Sequence, residues 1–278
     1  MLNTRSDLAV VRVRHPLKFR LLQVSRVEPL TPHLVRVTLT GDDLRDFTSA
    51  SFDDHIKVFF PAPGEDKPVL PVAGPDGPVF AEGQPRPVAR DYTPRRFDRE
   101  TGELVIDFVI HAVGPASTWA AEARVGQYLG VGGPRGSFVI PQGYDWHLLI
   151  GDETALPAIS RRLEELPAGT RVAAVLEVRD PSARIEFNTK ADLYAVWCYQ
   201  NEQAGQAESS ANESGLLKAV RETFLPEGDG YVWAAGESAT IRAVRQYLTA
   251  ECGIEKSRIR AASYWKRGAA AVHESIDD

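Results

Sequence analysis

The chain changes its hydrophobic rhythm once, near Gly143. Before that point apolar and polar positions alternate in short runs. In "HLVRVTLTG", Val35, Val37 and Leu39 interleave with Arg36 and Thr38, the two-residue period of a half-buried strand. "DHIKVFFP" sets Ile56, Val58 and Phe60 on one face against His55, Lys57 and Phe59 on the other. "ELVIDFVIHAV" and "SFVIP" predict further strands, with turn-rich loops between them. The longest loop, residues 61–87, is so rich in proline and glycine that no strand or helix pattern fits it. Many strands with one short helical patch predict an antiparallel β-barrel.

After Gly143 the strand-like runs become apolar throughout and alternate with helical spacing. "WHLLIGD" leads into "ETALPAISRRLEEL", where Ile159, Leu163 and Leu166 recur at helical intervals. "RVAAVLEV" and "YAVWCYQ" predict strands, and "SGLLKAVRETF" predicts a helix. "GYVWAAGE" is a buried strand leading into "SATIRAVRQYLTAE", a helix with Ile241, Val244 and Leu248 on one face. Such alternation predicts a parallel sheet covered on both faces. The polar run "NEQAGQAESSANESG" predicts a solvent loop. The expected fold class is therefore β-barrel plus α/β. An antiparallel β-barrel domain covers residues 1–142, and a parallel-sheet, nucleotide-type domain covers 143–278.

Composition narrows the function classes. At 278 residues, 43% hydrophobic and 25% charged, the chain suits a soluble protein with real cores. A net charge of −6 argues against general nucleic-acid binding, so local basic clusters stand out. Cys198 and Cys252 lie far apart with no CxxC spacing, which excludes an iron–sulfur cluster or a four-cysteine zinc site within one chain. A reducing compartment follows as the default. Charges are scattered through the apolar residues of the N-terminal stretch, so no signal peptide is read, and no run is long enough to span a membrane. The expectation is a cytoplasmic protein with no nucleic-acid partner and no membrane insertion.

Against that acidic background stands "RDYTPRR", residues 90–96. Guanidinium binds phosphate through two parallel hydrogen bonds, and an aromatic ring suits a flat ligand. The i, i+2 spacing of Arg90 and Tyr92 puts both on one side of an extended strand, with Asp91 turned away. A solvated basic edge strand explains the same residues about as well. In "HAVGPASTWAAEA", Gly114, Pro115, Ala116 and Ser117 precede a short helical run whose free N–H groups suit a pyrophosphate. Ser117 or Thr118 as an ordinary N-cap fits equally. "LGVGGPRGSF" closes no G-x-G-x-x-G register and reads as a tight turn presenting Arg135. "IGDETALPAI" and "AAGESATIRAVRQYL" are strand-to-helix junctions of the kind that bind nucleotides, the second carrying Gly236 and Glu237 at its turn.

Taken in order, these motifs together with "DDHIKVFFP" and the near-terminal "SYWKRG" resemble the siderophore-interacting proteins. These are FAD-dependent ferric-siderophore reductases of the ferredoxin–NADP⁺ reductase superfamily. The co-linear set spans about residues 20 to 268, and that order is far more specific than any one motif. The resemblance implies that Arg90 pairs with the FAD pyrophosphate, that Tyr92 packs on the flavin side and that Thr93 reaches the flavin N5 edge. It implies phosphate and ribityl contacts for His111 with Gly114, Pro115, Ala116 and Ser117. Asp152, Thr154 and Ala155 would lie near the adenosine end. It further implies a basic patch of Lys57, Arg135 and Arg267 for an anionic ferric siderophore. Lys266 stands beside them, and for it a snorkelling surface cation is the stronger reading.

The implied electron donor is NADPH or NADH, with ferredoxin possible. Arg179, just past "RVAAVLEV", lies where an adenosine 2′-phosphate would sit and favours NADPH, while Glu177 nearby favours the unphosphorylated ribose. The chain stops ten residues after Gly268, which leans toward nicotinamide. A monomer is expected. Two alternatives stay open: a flavin reductase for another acceptor, and a cytosolic siderophore-binding module with little turnover.

Overall fold

The computed structural model describes residues 8–75, 77–110, 114–200, 214–269 and 274–276. The chain divides into two compact units, one of residues 9–140 and one of residues 1–8 with 141–278.

The unit of residues 9–140 holds eleven strands and a short helix among its described residues. They are β1 (Val11–Arg14), β2 (Phe19–Thr31), β3 (Leu34–Thr40), β4 (Ile56–Phe59), β5 (Val72–Gly74), β6 (Gly77–Val79), β7 (Ala89–Tyr92), β8 (Arg96–Asp98), β9 (Glu103–Val109), α1 (Pro115–Ala121), β10 (Tyr128–Gly132) and β11 (Gly136–Val139). Seven form one sheet in the order β7-β4-β10-β2-β3-β9-β8, antiparallel at every pairing. Its two edge strands are neighbours in sequence. Four residue steps from Tyr92 to Arg96 span at most about 14 Å of chain. Seven flat strands would hold those edges about 29 Å apart. The sheet therefore curls into an antiparallel half-barrel. Inside it Leu22, Val37, Leu39, Ile56, Val58, Ile106 and Phe108 are wholly buried.

Loop 61–87 departs from expectation. It contains the β5–β6 hairpin, closed by pairs such as Val72 with Val79. Leu70 packs directly over Gly130 of β10, where a Cβ would collide with it. Prolines blocked the period-2 signal, yet a single apolar side chain seated on a glycine ties the loop down.

Asp54, from the "DDH" run, is a fastener. Its Oδ2 accepts from Ser49 Oγ (2.7 Å) and Ser137 Oγ (2.8 Å), and His15 Nε2 lies 2.7 Å from the same Ser137 oxygen. A serine, a histidine and a carboxylate thus meet, but the carboxylate takes the serine proton rather than orienting the histidine. The trio joins β11 to the β3–β4 connection and is not a nucleophilic triad.

The second unit holds β12 (Trp146–Asp152), α2 (Leu156–Glu165), β13 (Arg171–Val178), β14 (Asp192–Tyr199), α3 (Gly215–Glu222), β15 (Gly230–Glu237), α4 (Ser238–Ala250), β16 (Ile259–Trp265) and β17 (Glu274–Ser275). The strand order is β14-β13-β12-β15-β16-β17. All pairings are parallel except that of β17, so the expected parallel sheet is mixed at one edge. From β12 the chain winds first toward β14 and then back across toward β16. The reversal places a topological switch point between the carboxyl ends of β12 and β15, where open α/β sheets bind ligands. Gly151 allows the close approach there, since a Cβ would lie 2.8 Å from Ala235 O. No helix of the described residues is long and apolar enough to cross a membrane.

His147 in β12 is buried, with no hydrogen-bond partner on Nε2 among the described residues. Burial, reinforced by the Arg162 charge, lowers its pKa to about 4. The folded state therefore holds the ring neutral, while an unfolded histidine binds a proton below about pH 6.5. The resulting stability is complete above that pH and is lost as the pH falls toward 4. At pH 5 the loss is on the order of 2 kcal/mol. Urea unfolding at pH 7 and pH 5 should show it in the wild type and not in His147→Gln. Equal pH dependence in both proteins would rule it out.

Candidate functional site

The stretch "RDYTPRR" divides into inward and outward parts. β7 pairs with β4 so that Lys57 faces Asp91 and Val58 faces Arg90. Lys57 Nζ lies 2.7 Å from Asp91 Oδ1. Arg95 turns inward, its side chain only 7% exposed, with Nε 3.7 Å from Asp107 Oδ2. Asp107 also accepts two hydrogen bonds from Arg36, at 2.7 and 2.8 Å. Arg96 is exposed and lies 3.5 Å from Asp98. Arg90 differs from both. Its Nη1 donates to Ala89 O at 2.8 Å, and no carboxylate among the described residues pairs with it. It remains available to an external anion.

Tyr92 is rooted in the core rather than lying free on the surface. Its ring is tilted on Phe108 with centroids 4.5 Å apart, and meets Phe60 edge-on at 6.4 Å. Burial raises its phenol pKa well above the ordinary value, with the Arg90 charge opposing. Thr93 is buried beside it. Strand and core together hold the pair, so the Arg90–Tyr92–Thr93 backbone is a rigid platform.

α1 starts at Gly114, whose φ of 146° suits glycine. Pro115 occupies the first helical position, where no N–H is needed. Among the described residues no side chain caps this end, and the first N–H groups of an α-helix point out of its start. Further along, Trp119 packs 5.7 Å from both Phe60 and Phe108, and its Nε1 is buried with no partner among the described residues. An arginine with no carboxylate partner among the described residues, a helix start and a packed aromatic cluster can receive a ligand combining phosphate with flat rings. His111 lies outside the described residues.

In the second unit, Asp152, Thr154, Gly236 and Glu237 come together at the switch point. Asp152 Oδ1 accepts from Thr154 N and Oγ1, and its Oδ2 accepts from Glu237 N at 3.0 Å. Burial raises the Asp152 pKa, with the Thr154 and Trp265 hydrogen bonds opposing. Ala155 is fully buried and packs on Gly151. Glu237 caps α4 by accepting from Thr240 N. Arg179 is half-buried just past β13, its N–H donating to Glu153 Oε1 at 2.6 Å. Glu177 is engaged at the start of α3, where Leu216 N donates to it at 3.2 Å.

Lys57 and Arg135 are exposed on the first unit, and Lys266 and Arg267 on the second. Trp265 was not among the residues expected to matter, although its Nε1 donates to Asp152 at 2.7 Å across 113 positions. Its only sequence signal was membership of "SYWKRG".

Residues 23–138 match the siderophore-interacting FAD-binding domain, and residues 144–268 match the siderophore-interacting protein domain. The chain belongs to the siderophore-interacting protein family. It is 39% identical to the NADPH-dependent ferric-chelate reductase of Escherichia coli over 258 residues, covering 91% of this chain and 95% of that one. It is 35% identical to the ferric vibriobactin reductase ViuB of Vibrio cholerae, covering 90% of each. Among solved structures, a siderophore utilization protein from T. fusca superposes with a TM-score of 0.85 at 37% identity, covering 95% of this chain and 98% of that one. The ferredoxin reductase in carbazole 1,9a-dioxygenase superposes at 0.63 with 18% identity, over 90% of this chain and 70% of that one, which shows the shared fold.

Proposed function

We infer that the protein is a ferric-siderophore reductase that passes electrons from NADPH through FAD to siderophore-bound Fe(III). The observation that carries this reading is Arg90, without a carboxylate partner among the described residues, on the strand beside Tyr92 and Thr93 in a chain of the siderophore-interacting family. These groups fit FAD: Arg90 and the Gly114–Pro115 helix start suit its pyrophosphate, and the Tyr92–Thr93 strand suits its ring. We assign FAD to the unit of residues 9–140. The nicotinamide nucleotide goes to the carboxyl end of the second unit's sheet, near Gly236 and Glu237. Arg179 is assigned to the 2′-phosphate, a role supported by the engagement of Glu177 at α3.

Siderophores hold Fe(III) through hard oxygen donors that bind Fe(II) far less tightly, so reduction releases the metal. FAD, when bound, accepts two electrons as hydride and can pass them on singly. The protein's own part is binding and orientation. Arg90 neutralises phosphate, Tyr92 and Thr93 fix the ring's position, and surface cations draw in the chelate. We place the protein in the cytoplasm as a monomer without a nucleic-acid partner, in keeping with its net charge of −6.

Stopped-flow mixing of the FAD-loaded protein with NADPH should bleach the flavin band, and a ferric siderophore should then restore it. Reduction without reoxidation by the chelate would leave a flavin reductase for another acceptor. Failure of NADPH to reduce it would remove the donor assignment.

Lys57 and Arg135 are exposed cations of the first unit that suit an anionic chelate, and Lys266 and Arg267 are exposed cations of the second. The Lys57–Asp91 pair makes a discriminating prediction. Asp91→Asn frees the ammonium, and an exposed pair is worth about 0.2–1 kcal/mol. The KM for an anionic ferric chelate should therefore fall by up to about fivefold at low salt, whereas Lys57→Gln should raise it. Both effects should fade as salt shortens the Debye length to about 8 Å and below. A KM that ignores both substitutions would remove Lys57 from the patch.

A further inference from the structure

Three strand ends meet at one carboxylate. Asp152 closes β12, and Thr154 donates to its Oδ1 from the backbone N at 2.9 Å and from Oγ1 at 2.5 Å. Its Oδ2 takes Glu237 N from the end of β15 at 3.0 Å and Trp265 Nε1 from the end of β16 at 2.7 Å. Gly236 makes this reach possible, because a Cβ there would sit 2.6 Å from Oδ2 and the residue has φ 153°. A register shift after Gly236 then sets Glu237 opposite Trp265, passing over Tyr264.

Beyond Trp265 the chain turns at once. Ala269 N donates to Lys266 O at 3.1 Å, with Gly268 at φ 76°. Within the turn Arg267 N approaches Glu237 Oε1 at 3.4 Å. Lys266 thus stands between two anchored points, the Trp265 indole and the Arg267 amide. Both anchors are acids at the carboxyl end of the sheet, Asp152 and Glu237, and these are themselves hydrogen-bonded to each other.

We propose that Asp152, acting through Trp265, is a positioning residue that sets the Lys266–Arg267 turn for the anionic ferric chelate. The proposal rests on the reading of Lys266 and Arg267 as chelate-binding cations. Long cationic side chains lose conformational freedom when they bind, and a turn already fixed at both ends has less left to lose. Removing the indole donor leaves Asp152 with three hydrogen bonds and the strands in place. What it releases is the turn.

The test uses the flavin-loaded protein and gallium(III) tris-catecholate, a trianion that flavin does not reduce, so binding is read by calorimetry without turnover. Trp265→Phe should weaken binding about five- to tenfold, the scale of one ordinary hydrogen bond. The KM for the matching ferric chelate should rise in step, while kcat stays within about twofold. In a Lys266→Gln/Arg267→Gln background, itself weaker, Trp265→Phe should cost nothing more. Asp152→Asn serves as a second variant, read by binding of the gallium chelate alone, and should weaken that binding by a similar factor. Wild-type affinity in Trp265→Phe, with the double variant weak, overturns the positioning link and leaves the cation reading intact. Equal losses from Trp265→Phe in both backgrounds also overturn it. Wild-type affinity in the double variant removes the cation reading, and the proposal with it.

Discussion

Arg90→Ala will strip FAD from the protein and leave it folded. The side chain is half-exposed, and its one bond within the described chain is to the neighbouring carbonyl of Ala89. Nothing among the described residues of that unit depends on it. What it offers a bound pyrophosphate is a charge-assisted, two-pronged hydrogen bond worth about 1.5–3 kcal/mol, or roughly a ten- to hundredfold change in affinity. The purified variant should lose its yellow colour on gel filtration while its thermal unfolding stays cooperative, with a midpoint near that of the flavin-free wild type. Arg90→Lys keeps the charge without the fork and should fall between the two. Full FAD occupancy in Arg90→Ala would remove the arginine from the cofactor site.

Asp107→Ala will do the opposite. Asp107 is buried on β9 and neutralises Arg95, whose side chain is 7% exposed, while holding Arg36 across the β3–β9 ladder. Removing one member of a buried ion pair strands the other charge in a low-dielectric interior, at about 3–5 kcal/mol. That is a large part of the stability of an ordinary domain, roughly 5–15 kcal/mol. Urea unfolding of the unit of residues 9–140 should shift by that amount. Asp107→Asn, which keeps an acceptor, should shift it less. A shift below about 1 kcal/mol would mean that Arg95 is held by other partners.

These two arginines lie five positions apart in one short stretch and look alike there. Period-2 spacing identified the strand that carries Arg90 and Tyr92, and Gly114 followed by Pro115 marked a helix start. The apolar runs after Gly143 located β12, β13, β14 and β15. The hairpin inside loop 61–87 was hidden because its prolines erased the alternation. The long strand β2 was also missed, since Arg20, Gln23 and Arg26 break up its apolar positions.

Sequence by itself determined the rhythm of elements, the order of motifs and, through that order, the family. These are local properties: a period of two or of 3.6 records which face of a segment meets water, and that is written within the segment. Only the tertiary structure decided which charge does what. Lys57 meets Asp91 because β4 and β7 pair in one register, Arg95 meets Asp107 where β8 begins to pair with β9, and Trp265 reaches Asp152 because the sheet reverses its winding at β12. Electrostatic and hydrogen-bond partners are chosen by distance in space. Strand order and register set that distance, and no local pattern encodes either one.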